Sequence, residues 1–116
     1  MIVCAIDDLM FSIRIVNAAK SLQAEVYFER SADKLLDTIR EKSPSLVIFD
    51  LNSARMRPLE AIALLKNDPA LASIRTLGYV SHTDAATIDA ARAAGIDQVL
   101  ARSAFVGQVA DILKSG

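Results

Sequence analysis

Cysteine, histidine, glycine and aromatic residues are scarce in this chain, and each scarcity excludes a class of site. Its 116 residues include one cysteine, Cys4, and one histidine, His82, which build neither an internal disulfide nor a zinc site. The four glycines do not cluster, so the glycine-rich turn of a dinucleotide site is missing. Aromatic residues make up 5% and tryptophan is absent, which leaves no row of rings on which nucleic-acid bases would stack.

Neither sign of charge dominates the chain. Thirteen Lys and Arg residues against fourteen Asp and Glu residues give a formal net charge of −1. No general electrostatic attraction to nucleic acid or to an anionic membrane follows from that balance. No apolar run approaches the ~18 residues of a membrane span, and the N-terminus lacks the features of a signal peptide. We therefore expect a cytoplasmic protein that binds neither nucleic acid nor membrane.

The residues that are abundant indicate one folded domain. Hydrophobic residues make up 53% and charged residues 23%, which excludes a disordered chain. Short apolar runs typical of strands alternate with segments of helical period. The predicted strands are Ile2–Ile6, Glu25–Phe28, Leu46–Phe49, Ile74–Val80 and Asp97–Ala101.

Each predicted strand is followed by a predicted helix. The helices are Met10–Leu22, Ala32–Lys42 after an N-cap at Ser31, Pro58–Lys66, Ala85–Ala94 starting from Thr83 or Asp84, and a last helix capped by Ser103. Five strand–helix repeats predict right-handed crossovers and an open, doubly wound parallel sheet covered on both faces. We expect a single domain over residues 1–116 that stands alone, because the chain stops just after the fifth helix.

Acidic side chains follow the first and third predicted strands. Asp7 and Asp8 end the first strand, and Asp50 ends the third. The functional crevice of such sheets lies at the carboxyl ends of the strands, so these carboxylates meet if the two strands are neighbours. Like charges repel unless a cation intervenes. A hard divalent ion such as Mg²⁺ would intervene, and it would also orient a phosphoryl group for attack by a carboxylate oxygen.

The order and spacing of these residues resemble the receiver domain of two-component response regulators over essentially the whole chain. The resemblance is carried by Cys4–Asp8 with its acid pair, by Leu46–Asp50, and by Ala90–Asp97, which is similar to the family's run from helix four into strand five. It implies a flavodoxin-like (βα)₅ fold with strand order 2-1-3-4-5. It also implies a signalling domain rather than an enzyme, with at most weak self-phosphorylation and dephosphorylation.

The resemblance assigns a role to each residue at the strand ends. Asp50 would accept a phosphoryl group from a histidine kinase or a phosphotransfer protein. Asp8 would bind Mg²⁺ directly, Asp7 would bind it through water, and Asp50 would be a further ligand. The backbone carbonyl of Asn52 would complete the protein ligands. Ser81 resembles the small hydroxyl residue that contacts the phosphoryl oxygen.

Two positions and one spacing depart from the family pattern. Arg102 stands where the family carries a lysine, and it would either neutralise the phosphoacceptor, hold the phosphate, or fill the space of the phosphoryl group. Val99 stands where the family carries a switchable tyrosine or phenylalanine. The spacing from Ser81 to Gly95 is one residue shorter than in common receivers, so Val80 is the alternative to Ser81.

Two functions follow from this interpretation. The first is Mg²⁺-dependent phosphoryl acceptance on Asp50 that alters contacts with a downstream protein. The alternative is a pseudo-receiver, a phosphorylation-independent interaction module whose arginines satisfy the acid pocket. Arg55 and Arg57 would either weaken metal binding or point into solvent. Contact with a partner or a homodimer through the helix 4–strand 5–helix 5 face is a further expectation, in which Val106 and Val109 are either its apolar residues or part of the core.

Overall fold

Strands and helices alternate along the whole chain. The computed structural model describes residues 1–81 and 84–116, so the predictions for His82 and Thr83 fall outside the described residues. The elements are β1 (Ile2–Ala5), α1 (Leu9–Leu22), β2 (Val26–Phe28), α2 (Ala32–Lys42), β3 (Leu46–Asp50), α3 (Pro58–Asn67), β4 (Arg75–Val80), α4 (Ala85–Ala94), β5 (Gln98–Ala101) and α5 (Arg102–Ser115).

The five strands form one parallel sheet in the order β2-β1-β3-β4-β5. This order confirms the predicted doubly wound (βα)₅ architecture. In the register of the sheet, Ala5 of β1 is opposite Phe49 of β3, and Asp50 is opposite Tyr79 of β4. The segments that follow β1 and β3 therefore leave the sheet side by side at one edge.

Both faces of the sheet are buried, which explains why its central strands are nearly continuous apolar runs. Along β3, Val47 and Phe49 pack into the core on one face, whereas Leu46 and Ile48 pack into the core on the other. The second of these cores contains a cluster of three aromatic rings that are tilted relative to one another. Its rings are Phe11, Tyr79 and Phe105, with centroids 4.5, 4.9 and 5.7 Å apart.

Two helices start earlier than predicted. The first, α1, begins at Leu9, because Asp8 is its N-cap and accepts a hydrogen bond from a backbone N–H of the first turn. The prediction that Ser103 caps the last helix is wrong. The backbone of Ala101 is extended and acts as the N-cap, so α5 begins at Arg102 with no intervening loop.

Exposed apolar side chains gather at the start of α1. Leu9, Met10 and Ile13 are 64%, 78% and 55% exposed. Val106 and Val109 of α5 are half-buried and pack against the core, which is the second of the two roles weighed for them. Among the described residues, no helix combines the length and the hydropathy needed to span a bilayer.

Candidate functional site

A cavity of about 370 Å³ opens at the carboxyl ends of β3 and β4. It is lined by Asp50, Asn52, Tyr79, Ser81, Arg102, Ser103 and Val106. Four of these residues are predicted site residues, and the cavity brings them together. Ser81 rather than Val80 faces the cavity, because Val80 is buried in the core on the other face of the sheet.

Asp50 is half-buried at the end of β3. Its Oδ1 accepts a hydrogen bond of 3.0 Å from the backbone N–H of Asn52. Burial raises the pKa of Asp50, and the negative charges of Asp7 and Asp8 raise it further, while the Asn52 hydrogen bond and the charge of Arg102 act in the opposite direction. The charges of Asp7 and Asp8 therefore act on Asp50, although neither of these two side chains lines the cavity.

Both carboxylate oxygens of Asp8 are engaged. Oδ1 accepts a hydrogen bond of 3.1 Å from the backbone N–H of Phe11, and Oδ2 lies 3.2 Å from Nη2 of Arg102. The bond from the Phe11 N–H lowers the pKa of Asp8, and Arg102 lowers it further. Asp8 is therefore ionised at neutral pH, and its counter-ion is a guanidinium group of this chain.

The guanidinium of Arg102 stacks on an aromatic ring in addition to its ion pair with Asp8. Its central carbon lies 4.5 Å from the centroid of the Phe11 ring and 6.0 Å from the centroid of the Tyr79 ring. A cation over a ring face contributes about 0.5–2 kcal/mol. The hydrogen bond of Arg102 goes to Asp8, and Asp50 receives only the longer-range effect of the positive charge.

Asp7 is tied to the loop that follows β3. Its Oδ1 accepts a hydrogen bond of 2.8 Å from the hydroxyl of Ser53, and that hydroxyl in turn accepts one from the backbone N–H of Met56. Ser53 was not singled out in the sequence. The one available signal was that Ser53 follows Asp50 closely in the sequence, which places it at the same edge of the sheet.

The side chain of Asn52 connects three segments. Its Oδ1 accepts a hydrogen bond of 2.8 Å from the backbone N–H of Ser81, and its Nδ2 donates one of 2.8 Å to Asp84. Asp84 is the N-cap of α4 and accepts a bond from the backbone N–H of Thr87. The predicted role of Asn52 concerns its backbone carbonyl. Its side chain has a second role, since it holds the ends of β3 and β4 and the start of α4 together.

The two arginines of the loop after β3, Arg55 and Arg57, do not line the cavity. Arg57 forms an ion pair with Asp33 of α2, and Arg55 is exposed. Val99, at the position of the family's switchable aromatic residue, packs partly buried against the core. Of Arg55, Arg57 and Arg102, only Arg102 lines the cavity and contributes positive charge to it.

The oxygen ligands at this edge have the chemistry that Mg²⁺ prefers. The described residues contain no group of three acidic, histidine or cysteine side chains close enough to hold a metal ion between them, whereas Mg²⁺ needs only one or two carboxylates completed by a carbonyl and waters. One carboxylate oxygen of Asp8 already caps helix α1, and the other accepts a hydrogen bond from Arg102. A cation at Asp8 would have to displace that guanidinium.

Tyr79 is the cavity residue that the sequence analysis missed. It is 1% exposed, and its hydroxyl has no hydrogen-bond partner in residues 1–81 and 84–116. Burial raises the pKa of Tyr79, and the charge of Asp50 raises it further, so the hydroxyl stays protonated. One signal was available: Tyr79 lies two residues before Ser81 in a strand, and alternate strand residues share a face.

Comparison with known proteins supports the fold. No protein-family model matches the chain, and no curated protein matches its sequence. A response regulator from Hahella chejuensis superposes with a TM-score of 0.86 at 15% identity, over 97% of this chain and 91% of that chain. The phosphorylated cyanobacterial phytochrome response regulator RcpA superposes with a TM-score of 0.80 at 22% identity, over 98% and 88%.

A third solved structure is the receiver domain of the sensor histidine kinase PA1611 from Pseudomonas aeruginosa, with a magnesium ion coordinated in its active-site cleft. It superposes with a TM-score of 0.83 at 12% identity, over 98% of this chain and 93% of that chain. The fold of this chain is therefore that of response-regulator receiver domains.

Proposed function

We propose that this domain accepts a phosphoryl group on Asp50 as part of phosphorelay signalling. The observation that carries the proposal is the place of Asp50, which lies in a cavity at the carboxyl end of β3 with Ser81 and Arg102 in the same wall. Asp50 has one oxygen fixed by the Asn52 N–H, and the other accepts no hydrogen bond from the described residues. The phosphorylated neighbour with the same fold adds support.

The reaction is a displacement at phosphorus. A carboxylate oxygen of Asp50 attacks the phosphorus of a phosphohistidine, a P–O bond forms, the P–N bond breaks, and the leaving imidazole takes up a proton. The product carries more negative charge than the carboxylate at an edge that already holds Asp7 and Asp8. Positive charge must offset it, and Arg102 supplies a guanidinium that can bind phosphoryl oxygens in pairs.

Under this proposal Mg²⁺ acts as a competitor of Arg102. The receiver domain of PA1611 has a magnesium ion coordinated in its active-site cleft, and an ion here would use the carboxylates of Asp7, Asp8 and Asp50. Because Asp8 pairs with Arg102, an ion would bind only where the guanidinium turns away from Asp8. The released guanidinium would then be available to the phosphoryl group.

The proposed phosphoryl donor is a histidine kinase or a phosphotransfer protein. Leu9, Met10 and Ile13 are exposed directly after the acid pair, so a donor that reaches Asp50 would meet them. The message would pass to a downstream protein by contact, and the α4–β5–α5 face remains the proposed surface for a homodimer. The cytoplasm is the proposed compartment, in keeping with a free, buried Cys4.

A pseudo-receiver is the second candidate function, and the pairing of the acid side chains favours it. Asp8 is neutralised by Arg102 at 3.2 Å, and Asp7 accepts a hydrogen bond from Ser53. Two of the three carboxylates are thus satisfied within the chain without an ion or a phosphoryl group. In this case the domain would bind its partner without phosphorylation.

Intact-mass spectrometry after incubation with acetyl phosphate or phosphoramidate and Mg²⁺ separates the two functions. We expect the mass of one phosphoryl group to be added to the wild type and to Asp111→Asn, a matched control on the exposed side of α5. We expect no addition to Asp50→Asn, because the attacking carboxylate is gone.

Two results contradict phosphoryl acceptance on Asp50. One is an adduct that persists on Asp50→Asn, which would place the phosphoryl group elsewhere. The other is a folded wild type that gains no mass from either donor, with or without Mg²⁺, and this result supports the pseudo-receiver.

A further inference from the structure

Tyr79 and Asp50 are neighbours across the sheet. Their Cα atoms are partners in the β3–β4 ladder, so their side chains leave the same face of the sheet. The Tyr79 ring packs against Phe11 and Phe105, with centroids at 4.5 and 4.9 Å. These contacts fix the ring, and the direction of its hydroxyl is therefore set before any ligand binds.

The Tyr79 hydroxyl is a buried donor without a partner in the described part of the chain. Buried polar groups are nearly always hydrogen-bonded, because an unpaired one loses its bonds to water and gains nothing in return. Tyr79 also lines the cavity that contains Asp50. The unpaired hydroxyl therefore points to a hydrogen-bond acceptor that this cavity receives.

The chemistry of the cavity wall selects an anion as that acceptor. Besides Asp50, the cavity is lined by Arg102, Ser81 and Tyr79, whose side chains all carry hydrogen-bond donors. The Tyr79 hydroxyl itself is covered, so an acceptor in the cavity reaches it only when a side chain of the wall moves aside. The guanidinium lies 6.0 Å from the centre of the Tyr79 ring. Donors and a cation beside a nucleophilic carboxylate match the oxygens of a phosphoryl group.

We propose that the Tyr79 hydroxyl donates a hydrogen bond to an oxygen of the phosphoryl group carried by Asp50. This inference rests on the proposed function and adds a binding residue to it. Without the phosphoryl group, the hydroxyl lowers the stability of the domain. With it, the hydroxyl gains its missing partner and holds the group in place.

The test compares Tyr79→Phe with Tyr27→Phe, a matched control whose hydroxyl-bearing ring lies on β2 and is 40% exposed. Each variant is incubated with phosphoramidate and Mg²⁺, and the phosphorylated fraction and its decay are followed by intact mass. Loss of one hydrogen bond to a charged group should lower the phosphorylated fraction of Tyr79→Phe at limiting donor about tenfold. Tyr27→Phe should match the wild type.

A second readout follows the hydroxyl itself. The chain has two tyrosines and no tryptophan, so Tyr79 is the single source of intrinsic fluorescence in Tyr27→Phe. Phosphorylation should change that fluorescence and the near-ultraviolet absorbance, and Tyr27→Phe combined with Asp50→Asn should show no change. Thermal melts should show Tyr79→Phe to be at least as stable as the wild type.

The failures are distinct. A wild type that takes up no phosphoryl group overturns the proposed function, and this inference with it. A phosphorylated wild type that Tyr79→Phe equals in yield and decay overturns this inference alone. A tyrosine signal that phosphorylation leaves unchanged, or a Tyr79→Phe variant that is clearly less stable, also overturns it, because the hydroxyl would then have a structural partner.

Discussion

Asp50 is the residue at which function and stability oppose each other. Its carboxylate is half-buried beside Asp7 and Asp8, and these surroundings raise its pKa. A carboxyl group whose pKa is higher in the folded state than in the unfolded state binds its proton more tightly when folded. Its ionised form therefore destabilises the fold at neutral pH.

Asp50→Asn should stabilise the domain. Removing the buried charge should raise the midpoint of thermal unfolding at neutral pH by about 2–4 °C. The gain should shrink as the pH falls through the folded-state pKa of Asp50 and disappear below its unfolded value of about 3.9, where the wild-type side chain is also neutral. Circular-dichroism melts over a pH series would measure it.

Asp111→Asn is the control for that series. Its side chain is exposed, so its melts should follow the wild type at every pH. A gain in Asp50→Asn that is constant or grows towards acid pH would contradict the assigned direction of the Asp50 pKa shift.

Arg102 is the residue that we expect to control the affinity of the site for a cation. Its guanidinium occupies Oδ2 of Asp8 and is held by the Phe11 ring. Arg102→Gln should therefore bind Mg²⁺ about threefold to tenfold more tightly than the wild type, because the ion no longer displaces a positive charge. Titration calorimetry with Mg²⁺ would measure the affinity of each protein.

Arg57→Gln is the matched control, since Arg57 pairs with Asp33 on α2, away from the cavity. It should bind Mg²⁺ like the wild type. Equal affinities in all three proteins would show that Arg102 does not compete with the ion.

At the scale of the elements, β4 is closely packed at Gly78. A Cβ atom at this position would lie 2.7 Å from Cγ and Cδ1 of Leu51 and 2.9 Å from Cδ1 of Ile96. Both neighbours belong to the buried core on one face of the sheet. Glycine is therefore required here by the closeness of its neighbours rather than by its backbone conformation.

Gly78→Ala should destabilise the domain by about 1–3 kcal/mol, because its methyl group overpacks the core. Gly107→Ala is the contrasting variant. Gly107 lies inside α5 with open space around it, so alanine there should stabilise the domain by about 0.5–1 kcal/mol. Urea unfolding would measure both, and a Gly78→Ala variant as stable as the wild type would contradict the packing described for β4.

The strands and helices could be predicted from the local pattern of apolar residues, but their first and last residues could be predicted less accurately. Apolar runs and helical spacing located all the strands and helices because each pattern is a property of neighbouring residues. The start of α5 was missed because Ser103 has the side chain of an N-cap. In the structure the strand β5 continues directly into the helix through Ala101, and no local residue signals this.

At the scale of the whole molecule, the sequence predicted an open parallel sheet but not its strand order. Strand–helix alternation requires crossovers, whereas pairing between distant strands is set by packing along the whole chain. The order 2-1-3-4-5 came from the resemblance to receiver domains, and the sheet confirms it. The gathering of Asp7, Asp8 and Asp50 then follows, because β1 and β3 are neighbours.

The contacts within the site were beyond the sequence because they join distant elements. Arg102 and Asp8 are 94 positions apart, and the stacking of Arg102 on Phe11 depends on how α1 packs beside α5. Tyr79 stands in an apolar strand and has the pattern of a core residue. Its role at the cavity became visible only when its hydroxyl was found unpaired.

Chemical trapping of the acyl phosphate tests phosphoryl acceptance most directly. Borohydride reduces an aspartyl phosphate to homoserine, so peptide mapping of the reduced protein identifies the modified residue. After treatment with a phosphohistidine or phosphoramidate donor, we expect homoserine at position 50 and an unmodified aspartate at positions 7 and 8. Homoserine at another aspartate, or at none in a folded protein, would contradict the account.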